Sequence, residues 1–471
     1  AEVELPEFGA SGEQTHDGQR LVQEPDPSLE DMDSHAEFDG LEYEEALTFI
    51  GLGRFQLQVL LACGLGNAAD AVEILSLSYI LPQLDMEKGI LNLLASAVFG
   101  GMLLGGYTFG ILADRIGRRP CYICTMAVNT VFVLAFAACS DPRGFIALRF
   151  LTGVGVGGAV PVVFSLGLEF LPPKQRGLCL TIIAAHWMIG SIATALLAWA
   201  IIPTFGWRTF AACCAVPSAL CVVLGLAWLP ESPRYLLIKG RTEDATRIVR
   251  RVAQANNRPA EFTLAPLQSP PPESFIEQVR ELFSASMLRT TLLCVVVWFA
   301  ICFGWYGITV WIPTFLEEKH IQENLYFSAF LVAAANLPGN IVSALVVDRI
   351  GRRRTLYASM GLAAIFAGSL AASSTKTFIV GFACLFNAAS VGGWNSLDIL
   401  TVEAFPTSSR GTAMGFLSGV GRMAAFLSQL THFGDGSMVL IPNIVALVAG
   451  CLAAWGLKSD TGNRALVDVI S

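Results

Sequence analysis

The segment "GILADRIGRRP" (residues 110–120) returns as "SALVVDRIGRRR" (343–354), so that Asp348 stands where Asp114 stood. A second pair keeps the same spacing: "EFLPPKQRG" (169–177) matches "EAFPTSSRG" (403–411), and Glu403 follows Glu169, and Arg410 follows Arg176, at the offset that separates Asp348 from Asp114. Two unrelated motifs sharing one offset indicate a duplicated unit rather than a local coincidence. Whatever the fold is, it is built twice.

Composition says what is duplicated. The 471 residues are 54% hydrophobic and 14% charged, against roughly 25% charged in soluble proteins. Apolar runs of about 20 residues, enough for a helix to cross a hydrocarbon core about 30 Å thick, begin near Phe55, Leu91, Cys121, Phe145, Gly177, Trp207, Leu288, Leu325, Thr355, Phe378, Gly411 and Met438. These predict an all-α integral membrane protein of twelve spans in two pseudo-symmetric six-helix bundles, 55–230 and 288–457, joined by a linker at 231–287 and followed by a tail at 458–471. Residues 1–54 hold 15 acids against Arg20 and Arg54, and are expected to be largely disordered up to "LEYEEALTFIGLGRFQ" (41–56), which reads as a short helix at the membrane surface. No basic, apolar signal-peptide pattern opens the chain.

Bases mark one side. The links after spans 2, 4, 6, 8 and 10 carry Arg115, Arg118, Arg119, Lys174, Arg176, Arg234, Arg241, Arg349, Arg352, Arg353 and Arg410, and the alternate links are poor in them. The positive-inside rule then places those links and both termini in the cytoplasm. In the linker, "RTEDATRIVRRVAQANN" (241–257) reads as a basic amphipathic helix and "LQSPPPES" (267–274) as a loop.

"GILADRIGRR", "RFLTGVGVGG" (149–158), "EFLPPKQRG" and "PESPRYLL" (230–237) together resemble the major facilitator superfamily, the last three being similar to its sugar-porter and organic-ion branches. "AADAVEI" (68–74), the aromatic seventh span and "GVGRMAAF" (419–426) most resemble the branch of synaptic vesicle two-related proteins, nicotinate permeases and organic ion transporters. The resemblance implies a secondary carrier that works by alternating access between its halves. In proton-coupled relatives, an acid of span 1 and an arginine of span 4 separate on protonation. It implies that role for Asp70 and Arg149, a cavity position for Glu73, and a substrate-facing one for Arg422.

The residues themselves point the same way. An acid at the centre of a lipid-facing helix costs roughly 2.5–3.5 kcal/mol, so Asp70 and Glu73 must face protein or water. Their i, i+3 spacing puts them on one face of span 1, and the glycines after Arg149 let span 4 approach closely. Asp70 with Arg149 is therefore the expected coupling pair, with Glu73 either binding substrate or proton, or serving Arg149 as a second partner. Arg422, always charged, suits a carboxylate or zwitterion, unless Asp398 of "GGWNSLDIL" (392–400) neutralises it. His186 offers a titratable group or a packing contact. Span 7, "VVVWFAICFGWYGITVWIP" (295–313), sets Trp305 and Tyr306 between Gly304 and Gly307. Like Trp394 and Asn395 of span 10, they are candidate ring-stacking contacts or simple packing. Span 7 lacks the glutamines and asparagine that the resemblance to sugar porters implies for that span.

Asp114, Arg118, Glu169, Arg176, Glu231 and Arg234, with the repeats Asp348, Arg352, Glu403 and Arg410, are expected to form a cytoplasmic gate network that biases the outward-facing state. The expected function is proton-coupled symport of a small organic ion, a carboxylate or zwitterion, by a monomer in a plasma or vesicle membrane. A proton-coupled sugar transporter, or a non-transporting vesicle-membrane receptor on a carrier fold, are the alternatives. With no nucleophile–base–acid set, metal cluster or phosphate-loop context for "GVGVGGA", no enzyme, cofactor, metal or nucleic-acid partner is expected.

Overall fold

The computed structural model describes residues 38–266, 275–319, 321, 325–406, 409–432 and 436–457. A strand, β1 (Phe38–Leu41), and a short helix, α1 (Tyr43–Ile50), precede the first span. The first half comprises α2 (Arg54–Ile80), α3 (Lys88–Ile116), α4 (Arg118–Ala138), α5 (Pro142–Leu168), α6 (Arg176–Cys214) and α7 (Val216–Ala227). The linker carries α8 (Pro233–Ile238), α9 (Thr242–Ala255), strand β2 (Phe262–Leu264) and α10 (Phe275–Leu282). The second half comprises α11 (Leu288–Thr309), α12 (Ile312–Glu318), α13 (Leu325–Ala334), α14 (Asn336–Ile350), α15 (Arg352–Ala372), α16 (Lys376–Ala404), α17 (Arg410–Leu430) and α18 (Ile441–Trp455).

Ten stretches among the described residues are long and apolar enough to span a membrane, one of them the 55 residues from Pro173 to Ala227. At about 1.5 Å per residue that stretch would extend roughly 80 Å if straight. It turns back at Gly206, whose φ of 79° only glycine adopts readily, and so provides two spans. The twelfth is α17, 21 residues long, which packs on α3 and α11.

The repeat is visible in the helix boundaries. The starts of α2 and α11 (Arg54, Leu288), α4 and α15 (Arg118, Arg352), α5 and α16 (Pro142, Lys376) and α6 and α17 (Arg176, Arg410) are all separated by the offset of the charged motifs. Gly117 and Gly351, at φ 111° and 99°, make the same tight corner in each half.

Within the first half, α3 and α5 touch backbone to backbone. A Cβ on Gly153 would sit 2.1 Å from the Val98 carbonyl oxygen, and one on Gly157 2.2 Å from that of Met102. The glycine run therefore serves helix packing. Between halves, α3 packs against α17, α6 against α13, and α12 against α2.

Residues just ahead of the first span belong to the folded body. Strand β1 pairs with β2, the Leu41 carbonyl accepting from Ala265 N at 2.9 Å. Asn256, just past α9, accepts from Phe55 N at 3.1 Å and donates to Gln56 Oε1 at 2.7 Å. The "LQSPPPES" loop, the tail at 458–471 and the acidic residues before 38 lie outside the described residues.

Candidate functional site

Asp70 lies inside α2 with 2% exposure. Its Oδ2 accepts from Trp187 Nε1 of α6 at 2.9 Å, and its Oδ1 lies 4.0 Å from Arg422 Nη2 of α17. An acid of one half thus faces a base of the other across the interface. Beside Arg422 stands Tyr306 of α11, and the Arg422 guanidinium also reaches Met102 Sδ at 3.6 Å.

Aromatic rings close around this pair. Trp187 meets Trp305 at 5.5 Å between centroids, Trp305 meets Tyr306 at 4.8 Å, and Phe99 of α3 meets Tyr306 at 5.0 Å. Trp394 of α16 lies 6.0 Å from both Trp305 and Tyr306 and 6.3 Å from Trp298, edge to face in each case. Such contacts hold the rings rigidly. Two indoles are further fixed by hydrogen bonds, Trp305 Nε1 to Asn387 Oδ1 at 3.1 Å and Trp298 Nε1 to Thr401 Oγ1 at 3.0 Å. Trp394 itself is half-buried, and Asp398, one turn along α16 on the same face, is exposed. A carboxylate within a span is costly unless protein or water faces it, and Asp398 shares the helix face that carries Trp394.

Arg149 departs from expectation: its partner is Glu73, not Asp70. Its Nη1 donates to Glu73 Oε1, its Nη2 lies 3.2 Å from the Glu73 carbonyl oxygen and 3.4 Å from Ser76 Oγ, and its guanidinium sits 5.0 Å over Phe136. Both side chains are 1% exposed. Three residues of α-helix rotate a side chain by about 60° and advance it about 4.5 Å, enough to send Asp70 toward α6 and α17 and Glu73 toward α5. Glu73 is therefore sequestered within the first half.

Three further residues carry two readings each in the sequence. His186 packs over Gly64 of α2, with Nδ1 2.8 Å from the Ile182 carbonyl oxygen of its own helix, so it is a packing contact. Asn395 turns away from Trp394 and donates to Asn340 Oδ1 at 2.9 Å, with Ser343 Oγ at 3.2 Å, binding α16 to α14. Asp398 makes no salt bridge among the described residues, so it does not neutralise Arg422. Trp187, in contrast, is a site residue that its sequence context does not single out. The repeat offset sets it opposite Gly421, beside Arg422, and that correspondence is the available signal.

The repeated charges cluster at one face of the molecule, and three of their ion pairs lie within single halves. Arg118 reaches Asp114 at 3.0 Å and Glu169 at 3.3 Å, and Arg352 reaches Glu403 at 3.6 Å. Arg176 pairs with Glu44 of α1 at 2.6 Å instead of with Glu169. Glu231 Oε1 accepts from the backbone N–H groups of Arg118 at 2.9 Å and Arg119 at 3.2 Å, capping α4. Burial raises the Glu169 carboxyl above its usual range, opposed by Arg118 and, from the linker, Ser232 and Arg234. Arg410 is half-buried at the start of α17, and the Asp348 side chain lies outside the described residues.

Two repeated six-helix halves that meet around a charged, aromatic-lined centre define a transmembrane carrier. The profile described as "Major Facilitator Superfamily" matches residues 60–429, and the chain belongs to that family. It is 28% identical to synaptic vesicle glycoprotein 2A of Rattus norvegicus, over 82% of this chain and 74% of that one. With synaptic vesicle glycoprotein 2B of Homo sapiens it shares 28% identity over 88% and 84% of the two chains. Its fold resembles the partially occluded inward-open xylose transporter XylE of E. coli, with a TM-score of 0.70 and 18% identity over 88% of this chain and all of the other. A bacterial homologue of the human lysosomal transporter Spinster, inward-facing and unoccupied, gives 0.67 and 14%, over 86% and 98%. The protein is an integral multi-pass membrane transporter.

Proposed function

We propose that this transporter moves a small organic carboxylate or zwitterion by alternating access, coupled to protons, with the face bearing the repeated charges in the cytoplasm. The observation that carries the reading is Asp70 of one half set 4.0 Å from Arg422 of the other. A substrate carboxylate and Asp70 compete for the same guanidinium. Protonating Asp70 frees Arg422 for the substrate, and the two halves lose or gain a cross-interface ion pair with each proton. Trp394 offers a ring face to a flat substrate body, and Asp398 a carboxylate to a positive end. The coupling pair is thus Asp70 with Arg422, while Glu73 with Arg149 braces the first half.

The packing of the halves on the far face, where Asn92 of one half donates to the His432 carbonyl oxygen of the other, supports an inward-facing state. Likeness to synaptic vesicle glycoproteins supports a vesicle membrane.

Counterflow in proteoliposomes tests the reading, using labelled nicotinate-like aromatic acids and amino-acid zwitterions. Wild-type exchange should respond to an imposed proton gradient, Asp70→Asn should exchange without responding, and Arg422→Gln should lose exchange at least tenfold. An Asp70→Asn variant that responds as wild type overturns the coupling role, and exchange unaffected by Arg422→Gln overturns the substrate role.

A further inference from the structure

On the face remote from the repeated charges, a cavity of about 80 Å³ lies between the halves, away from the Asp70–Arg422 centre. It is lined by Lys88 and Asn92 of α3, Trp311 before α12, Thr314 and Glu318 of α12, and His432 just beyond α17. At about 15 Å³ per water-sized group it has room for roughly five such groups.

Its polar lining has one bias. Asn92 donates its Nδ2 to the His432 carbonyl oxygen at 3.1 Å, which leaves Oδ1 as a buried acceptor with no hydrogen-bond partner among the described residues. His432 stacks on Trp311 at 4.6 Å and 17°. Its Nδ1 lies 3.1 Å from the Ser428 carbonyl oxygen and so carries the proton, leaving Nε2, which has no hydrogen-bond partner among the described residues, as an acceptor. Thr314 Oγ1 is likewise buried with no hydrogen-bond partner among the described residues. Trp311 is committed elsewhere, its Nε1 donating to Gln429 Oε1 at 2.8 Å. The cation at the rim, Lys88, is already paired with Glu318 at 3.4 Å. The cavity wall is mostly apolar, and its few polar groups are acceptors and a carboxylate whose neighbouring cation is engaged.

From this we infer that the far-face cavity is a binding site for a small primary ammonium compound. The ammonium supplies the N–H groups that Asn92 Oδ1, His432 Nε2 and Thr314 Oγ1 lack, and it competes with Lys88 for Glu318. Its alkyl chain lies against Trp311 and Phe315. Because Asn92 belongs to one half and His432 to the other, an occupant of this site ties the halves together on the far face and stabilises the state in which that face is closed. Burial lowers the His432 imidazole to about 4, so Nε2 remains an acceptor in mildly acidic surroundings.

Thermal unfolding of the purified full chain in detergent, titrated with propylammonium chloride, tests this against sodium propionate and potassium chloride at matched ionic strength. Propylammonium should raise the midpoint saturably, and the two salts should not. Thr314→Val and His432→Phe, which keep size and stacking, should each weaken the apparent affinity at least fivefold, while Arg422→Gln should leave it unchanged. The proposal is overturned if propionate acts equally, if neither cavity variant alters the response, or if Arg422→Gln abolishes it. That last result would assign the ammonium to the central site.

Discussion

Arg149 and Glu73 form an ion pair in which both side chains are 1% exposed, wholly inside the first six-helix half. Coulomb attraction between them offsets the desolvation of both groups, and removing one partner leaves the other charge buried alone, at a cost of about 3–5 kcal/mol. Glu73→Gln should therefore be strongly destabilising. The double variant Glu73→Gln, Arg149→Met should recover most of the loss, because no isolated charge remains. Thermal midpoints of the three proteins in detergent check this, and a double variant no better than the single one would show that the pair acts by something other than charge compensation.

Much of this arrangement is legible in the sequence, for identifiable reasons. Span number and repeat follow from hydrocarbon thickness and from two motifs at one offset, constraints that act along the chain. Partners are less legible, since they depend on helix rotation and on which neighbour stands opposite. Asp70 and Glu73 read as acids that face protein or a cavity, yet the small rotation between them decides that one meets Arg422 and the other Arg149. Trp187 is an ordinary aromatic residue until α6 is set beside α2. The pairing of Arg176 with Glu44 is hidden because the helix that brings Glu44 there lies 132 residues earlier.

The contact of α1 with the first half predicts an order of effects. Tyr43, 3% exposed, donates its hydroxyl to the Glu169 carbonyl oxygen, and burial with the neighbouring acids pushes its pKa far up, so it stays a donor. Tyr43→Phe leaves that carbonyl unsatisfied and should cost about 1–3 kcal/mol. Glu44 is 43% exposed in its pair with Arg176, so Glu44→Gln should cost at most about 1 kcal/mol. Hydrogen exchange across residues 43–50 should accelerate in the first variant and change little in the second.

Close approach of α3 and α5 makes Gly153 intolerant of any side chain. A methyl group there must displace the Val98 backbone, whose carbonyl oxygen lies 2.1 Å from the added carbon, and overpacking of this kind costs about 1–3 kcal/mol or more. Gly153→Ala should lower the thermal midpoint. Gly110→Ala, with nothing within 4 Å of the added carbon, should hold or raise it through helix propensity.

His432 makes far-face stability depend on pH in a defined direction. Its pKa, lowered by burial to about 4 from the usual 6.5 against the opposing pull of the Ser428, Gly307 and Gln429 backbone, means the folded state prefers the neutral ring. The resulting stability is fully present above about pH 6.5 and is lost as pH falls toward 4. Between pH 8 and pH 5 the loss from this group alone is about 2 kcal/mol. The ionised groups sharing its cavity, Lys88 and Glu318, are paired with each other and partly solvated. The thermal midpoint of the wild type should fall between pH 8 and pH 5 by more than that of His432→Phe, which keeps the stacking on Trp311 but cannot take up the proton. Equal falls in the two proteins would assign the acid sensitivity to other groups.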